Sequence, residues 1–170
     1  MACIIDDLKA QARILQRRAT AGDAAARARL AAAGVKSEPI KRADCLRALA
    51  RELGFDGWPH LFAVIGDGAA SDFGTLLYPS DCGGTLNIWS SSYEEARDIR
   101  PQHGGCLLAY KRLFVIVDRC FIETLGLDAD DPDWQRIGRD WVRPADRAAR
   151  ERLYEKLVRV RQQAVLSGGV

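Results

Sequence analysis

Apolar residues in the first third of the chain recur at helical spacing. Ile4, Ile5, Leu8, Ala12, Leu15 and Ala19 form one stripe. Gly22 predicts a break, and Asp23 an N-cap for an alanine-rich helix ending at Gly34. After a connector from Val35 to Pro39, Leu46, Leu49, Ala50 and Leu53 mark a third helix, with Arg47, Arg51 and Glu52 on its wet side. Gly54 stands where a helix closes in the left-handed region, and Phe55 follows where an apolar side chain folds back on the last turn. Pro59 opens a further helix that Leu61, Phe62 and Ile65 continue. The expected core of this corner is Leu49, Leu53, Phe55, Trp58, Leu61 and Phe62. A helix-turn-helix has the same outline. Residues 59–65, however, offer no Arg, Lys, Asn or Gln to a base edge, so the corner reads as structural.

Beyond the small, polar stretch Gly66–Asp72 the period shifts towards two. Thr75–Tyr78, Thr85–Trp89, Cys106–Tyr110, Leu113–Val117 and Phe121–Leu125 are short β-favouring runs. Lys111-Arg112 separates two of them, as a hairpin turn or as a kink in continuous pairing; neither residue favours positive φ. Ser92-Tyr93-Glu94-Glu95 reads as a capping box for a helix ending before Pro101. Asp131-Pro132 opens another short helix, running to about Trp141. Pro144 opens the last, whose stripe is Ala149, Leu153, Leu157, Val160 and Ala164. The sum is an α+β fold: an N-terminal helical segment, a small and mainly antiparallel sheet, and a C-terminal helix packed on it. Residues 1–65 and 66–170 are the expected domains, either separate or as one continuous domain.

Leu49 through Leu61, Leu-Ala-Arg-Glu-Leu-Gly-Phe-Asp-Gly-Trp-Pro-His-Leu, carry a resemblance. Residues 1–65 are similar to the helical leader that precedes the repeats in many bacterial ankyrin-repeat proteins and precedes some glyoxalase-like domains. The resemblance implies a helical hairpin followed by a glycine-stopped helix, and attachment to interaction modules. It implies no catalytic or ligand-binding residue. Residues 66–170 show no ankyrin signature and no internal repeat.

Composition narrows the class. At 170 residues with 48% hydrophobic and 28% charged content, the chain can bury a core without staples. It shows no apolar run of membrane length and no signal peptide, so a cytoplasmic location is expected. Five scattered cysteines suit reduced thiols. Abundant Arg and Ala suggest a bacterial origin. The net charge is +2, too small to advertise nucleic acid. Residues 1–65 carry 11 Lys and Arg against 7 Asp and Glu, while the rest carries 14 against 16. The basic segment is thus the weaker basis for a nucleic-acid reading.

Chemistry has three places to be. Asn87, Trp89, Ser91 and Tyr93 lie at a strand end, and Tyr110 and Trp141 are placed to join them. Tryptophan walls with a few hydrogen-bonding groups are how small-molecule clefts are built. Cys82 on its Asp-Cys-Gly-Gly loop, with His103 as base, would make a thiol nucleophile. Cys82, His103, Cys106 and Cys120 would supply a zinc shell, but no close Cys-x-x-Cys pair announces one. The aspartates from Asp128 to Asp133 fail the calcium-loop pattern and suit helix capping. No phosphate-binding loop, His-Glu-x-x-His or Gly-x-Ser-x-Gly occurs. The expectation is a binding or interaction module with a Trp/Tyr-lined cleft for a peptide or small ligand, needing no metal or cofactor. A small thiol-dependent enzyme using Cys82 and His103 is the alternative. The partner would be a protein or small molecule, and exposed helical faces would equally serve a homodimer.

Overall fold

The computed structural model describes residues 4–67, 70–78 and 87–166. The chain forms two compact units, residues 1–70 and 71–170, with an α+β architecture. No described helix is long and apolar enough to cross a membrane.

The first unit is helical: α1 (Ile4–Thr20), α2 (Ala24–Ala32), α3 (Arg42–Glu52) and α4 (Trp58–Phe62), then a π-helical turn over Ala63–Asp67. All six stripe residues of α1 are buried. Ala12, Ala19 and Ala48 are fully enclosed, so α1 and α3 approach closely around Leu15, Leu30 and Leu49. Asp23 caps α2 by accepting the Ala26 N–H at 3.0 Å. Gly54, at φ 83°, closes α3: its N–H bonds Arg51 O at 3.0 Å and the Phe55 N–H bonds Ala50 O at 3.0 Å. That paired reversal needs a left-handed residue, which glycine supplies without Cβ strain. Phe55 is buried as expected, but Trp58 is only half-buried and Phe62 is 40% exposed. Leu61, Val64 and Ile65 fill the inward positions of this short segment, leaving Phe62 on the outer side. Arg29 binds Glu52 through two 2.7 Å hydrogen bonds and ties α2 to α3.

The second unit is built on β1 (Ile88–Ser90), β2 (Cys106–Tyr110) and β3 (Leu113–Val117), in the order β1-β3-β2 and antiparallel throughout. Around it lie α5 (Tyr93–His103), α6 (Arg119–Thr124), α7 (Pro132–Arg136) and α8 (Arg147–Leu166). Trp89 pairs with Val115, and Leu108 with Val115 on the other side. Because side chains alternate, Trp89, Tyr110 and Leu113 share one face with Leu108 and Val115. The opposite face, with Leu107, Phe114 and Ile116, packs under α5 around Tyr93 and Ala96.

Several expected boundaries move. Thr75–Tyr78 is a turn, not a strand; its neighbour Asp72 accepts the Gly74 N–H at 2.9 Å and bends the chain there. Residues 85–86 lie outside the described residues, and the strand expected over Thr85–Trp89 is seen as β1. Phe121–Leu125 belongs to a helix, because Asp118 accepts the Phe121 N–H at 2.8 Å and caps α6. The helix begun at Ser92 continues through Pro101 to His103. Pro101 has no N–H for Arg97 O, so the helix forgoes one bond there, and Gly104 closes it on Arg100 O at 2.8 Å. The Asp131–Pro132 helix stops at Arg136 because Gly138 turns the chain; Asp140 then bridges Leu107 in parallel. The last helix starts at Arg147, with Asp146 accepting the Ala149 N–H at 3.1 Å.

Lys111-Arg112 is a two-residue hairpin turn, Tyr110 pairing with Leu113. Lys111 adopts φ 52°, and its backbone is held from both sides: its N–H donates to Gly74 O and its carbonyl accepts from Phe73 N–H, each at 2.8 Å. At the other end of β2, a Cβ on Gly105 would stand 2.3 Å from Val117 O, so no side chain fits.

Candidate functional site: a half-exposed aromatic face

Trp89 and Tyr110 do come together. Their ring centroids are 6.0 Å apart, and Tyr78 bridges them at 4.9 Å from Trp89 and 5.5 Å from Tyr110. Phe121 of α6 closes the inner side, 4.9 Å from Tyr78. Asn87 donates its amide N–H to the Tyr78 hydroxyl at 3.2 Å. Trp89 and Leu113 both remain 41% exposed. The result is an apolar surface, with Lys111 Nζ 5.4 Å from the Tyr110 ring centroid at its rim.

The other expected cleft residues lie elsewhere. Ser91 is exposed at the bend before α5. Tyr93 begins α5 and packs beneath the opposite sheet face, 5.8 Å from Phe114. Its hydroxyl donates to Asp140 at 2.6 Å, and the Arg143 guanidinium lies 4.0 Å over its ring. Trp141 is 1% exposed and packed between Trp134, tilted at 5.4 Å, and Tyr154, edge-on at 4.7 Å. Tyr93 and Trp141 are therefore core residues; Tyr78 and Leu113 take their place on the face, with the buried Phe121 beneath them. Leu113 was open to discovery from a two-residue turn, which puts it on the face of Tyr110. Tyr78 carries no periodic signal.

Cys82 lies outside the described residues. His103 is exposed at the end of α5. Cys106 is buried and Cys120 exposed. Burial pushes the Cys106 thiol up, against the opposing pull of Arg139 and Arg100, making it a poor nucleophile at neutral pH. Among the described residues no three His, Cys, Asp or Glu side chains are grouped to hold a metal ion. In the first unit, Arg18, Arg29 and Arg47 are engaged by Asp23, Glu52 and Asp44.

Burial, reinforced by the bond to Asp140, raises the Tyr93 hydroxyl to about 12. The neutral phenol is the form that folding favours. This contribution is fully present below 10, the ordinary value, and is lost as pH rises through about 12. Alkaline titration followed by tyrosinate absorbance should show a late component that shrinks in Tyr93→Phe. A component unchanged by that substitution would refute the assignment.

No known protein family, curated protein or solved structure shows a significant match to this chain.

Proposed function

We propose that the unit of residues 71–170 is a binding module that takes a peptide or small ligand on the Trp89–Tyr110–Leu113 face. One observation carries the reading. Two tryptophans, Trp134 and Trp141, are buried in the core, whereas Trp89 stays 41% exposed while held in ring contact with Tyr78 and Tyr110. A large aromatic side chain fixed at the surface by its neighbours is pre-ordered for contact, and such residues dominate binding energy where they occur. The resemblance of residues 1–65 to leaders of interaction repeats points the same way.

Selection of a random peptide library on the whole protein tests this. Peptides enriched on the wild type should bind Trp89→Ala at least about tenfold more weakly, as expected for a central aromatic anchor. The variant should keep its thermal transition, since the side chain is already half in water. Equal binding by Trp89→Ala removes the site. Unfolding of Trp89→Ala would make Trp89 a core residue instead.

A further inference from the structure

Resting on that binding reading, we infer that the occupant of the face is an acidic peptide segment, its bulky apolar side chain on Trp89 and Leu113 and its carboxylates towards the β2–β3 turn. The turn supplies the argument. Two-residue hairpins favour Asn or Gly at positions of positive φ, yet this one has Lys111 at φ 52° followed by Arg112. Hairpin geometry alone does not call for two cations there. The Lys111 backbone is fixed by bonds to Phe73 and Gly74, and its Nζ lies 5.4 Å from the Tyr110 ring centroid. Arg112 is 80% exposed in its side chain and meets Asp72 only at 4.0 Å. Arg119, the cation of α6, is committed to Glu123 and Asp130. The face thus joins exposed apolar area to two cations at one end, complementary to an apolar residue flanked by carboxylates.

Openness favours a peptide over a small molecule. Small-molecule sites enclose most of their ligand, whereas this face leaves both Trp89 and Leu113 in contact with water. Aromatic rings beside cations also suit single-stranded nucleic acid. Residues 66–170, however, carry 14 Lys and Arg against 16 Asp and Glu, a balance that does not draw a phosphate backbone.

The test uses the full chain and fluorescence anisotropy with four labelled probes. Three are peptides with one central Trp-Leu pair flanked by Glu, by Gln or by Lys; the fourth is an oligothymidylate. The Glu-flanked peptide should bind about tenfold tighter than the Gln-flanked one at low salt, and the Lys-flanked one weakest. The double variant Lys111→Gln, Arg112→Gln should erase that preference and leave the Gln-flanked affinity unchanged. Trp89→Ala should weaken all three peptides. If the three bind alike and all weaken in Trp89→Ala, the acidic preference is wrong while the binding face stands. If only the oligothymidylate binds, with loss in Trp89→Ala, the occupant is nucleic acid and the inference falls. If no probe binds, the inference also falls, and the library selection decides the face independently.

Discussion

Asp133→Ala should lower the melting temperature of the second unit by several degrees, one of the two largest single-residue effects expected in this chain. Asp133 is the centre of the clasp between α7 and α8. Its side chain is 4% exposed and takes Arg152 in a two-pronged contact, Nε to Oδ2 at 2.9 Å and Nη2 to Oδ1 at 2.6 Å. Arg136 reaches it at 3.3 Å and Lys156 at 3.5 Å, while Lys156 also bonds Asp131, the N-cap of α7. Removing the carboxylate leaves several cations facing one another without their shared anion. Breaking a buried pair costs about 3–5 kcal/mol, and here the cations still reach water, so about 2–4 kcal/mol is expected. For a unit of 100 residues that corresponds to roughly 8–30 °C. Calorimetry of the full chain reads it directly. Replacing Asp133 and Arg152 together by leucine and methionine should cost less than Asp133→Ala alone, since the least exposed of the cations goes with its anion, while Arg136 and Lys156 still reach water and Lys156 keeps Asp131. A shift below about 2 °C for Asp133→Ala would mean that the clasp is not what holds α8.

The same carboxylate sets an acid limit. Hydrogen bonds from Arg152 hold Asp133 below its ordinary value of 3.8, with burial opposing them. A depressed folded value means stability that is fully present above 3.8 and lost as pH falls through the folded value. Asp44 works alike in the first unit: the Ser37 hydroxyl at 2.7 Å and the Lys41 N–H at 3.0 Å hold it down. Asp133→Asn should therefore flatten the stability profile below pH 4 in the second unit only.

Helices were legible in the sequence wherever a stripe met its stop. Ile4 to Ala19 and Leu49 to Phe55 combine helical spacing with a glycine that can take the closing conformation, so pattern and punctuation agree. The β2–β3 pair was legible because Leu107–Tyr110 and Leu113–Val117 are apolar runs of strand length. The run Phe121–Leu125 misled because Phe121 and Ile122 favour strands by composition. Its cap at Asp118 and stop at Gly126 decide the matter locally. The site was half legible for a related reason. Trp89 and Tyr110 stand on one face by strand alternation, whereas Tyr93 follows Trp89 by four residues, past the bend at Ser91. That bend carries the chain to the other side of the sheet, and no periodicity reports a change of face. Trp141 lies beyond the Gly138 turn, whose closure against β2 is a long-range contact with no local signature.

Asp140 makes that closure, and its removal should be the second large effect. The Trp141 N–H donates to Leu107 O at 2.9 Å and the Leu107 N–H to Arg139 O at 2.8 Å, so residues 139–141 cover the outer edge of β2. The Asp140 carboxylate locks this segment. Oδ1 accepts the Val142 and Arg143 N–H groups, both at 2.9 Å, and Oδ2 accepts the Tyr93 hydroxyl at 2.6 Å. Asp140→Ala strands a buried phenol donor and loosens two backbone donors that lie nearer to water. Unsatisfied buried donors cost about 1–3 kcal/mol each, so about 3 kcal/mol in all is expected. Asp140→Asn keeps an oxygen for the two N–H groups and offers an amide N–H to the Tyr93 oxygen, which then accepts; about 1 kcal/mol is expected. In a double-mutant cycle, Tyr93→Phe with Asp140→Ala should cost clearly less than the two singles added, because each single strands what the other removes. Additive losses would show that the two side chains do not depend on each other. The Leu107 amide gives the local readout. Its hydrogen exchange should quicken in Asp140→Ala more than that of Val115, which pairs inside the sheet, because the edge opens before the sheet does.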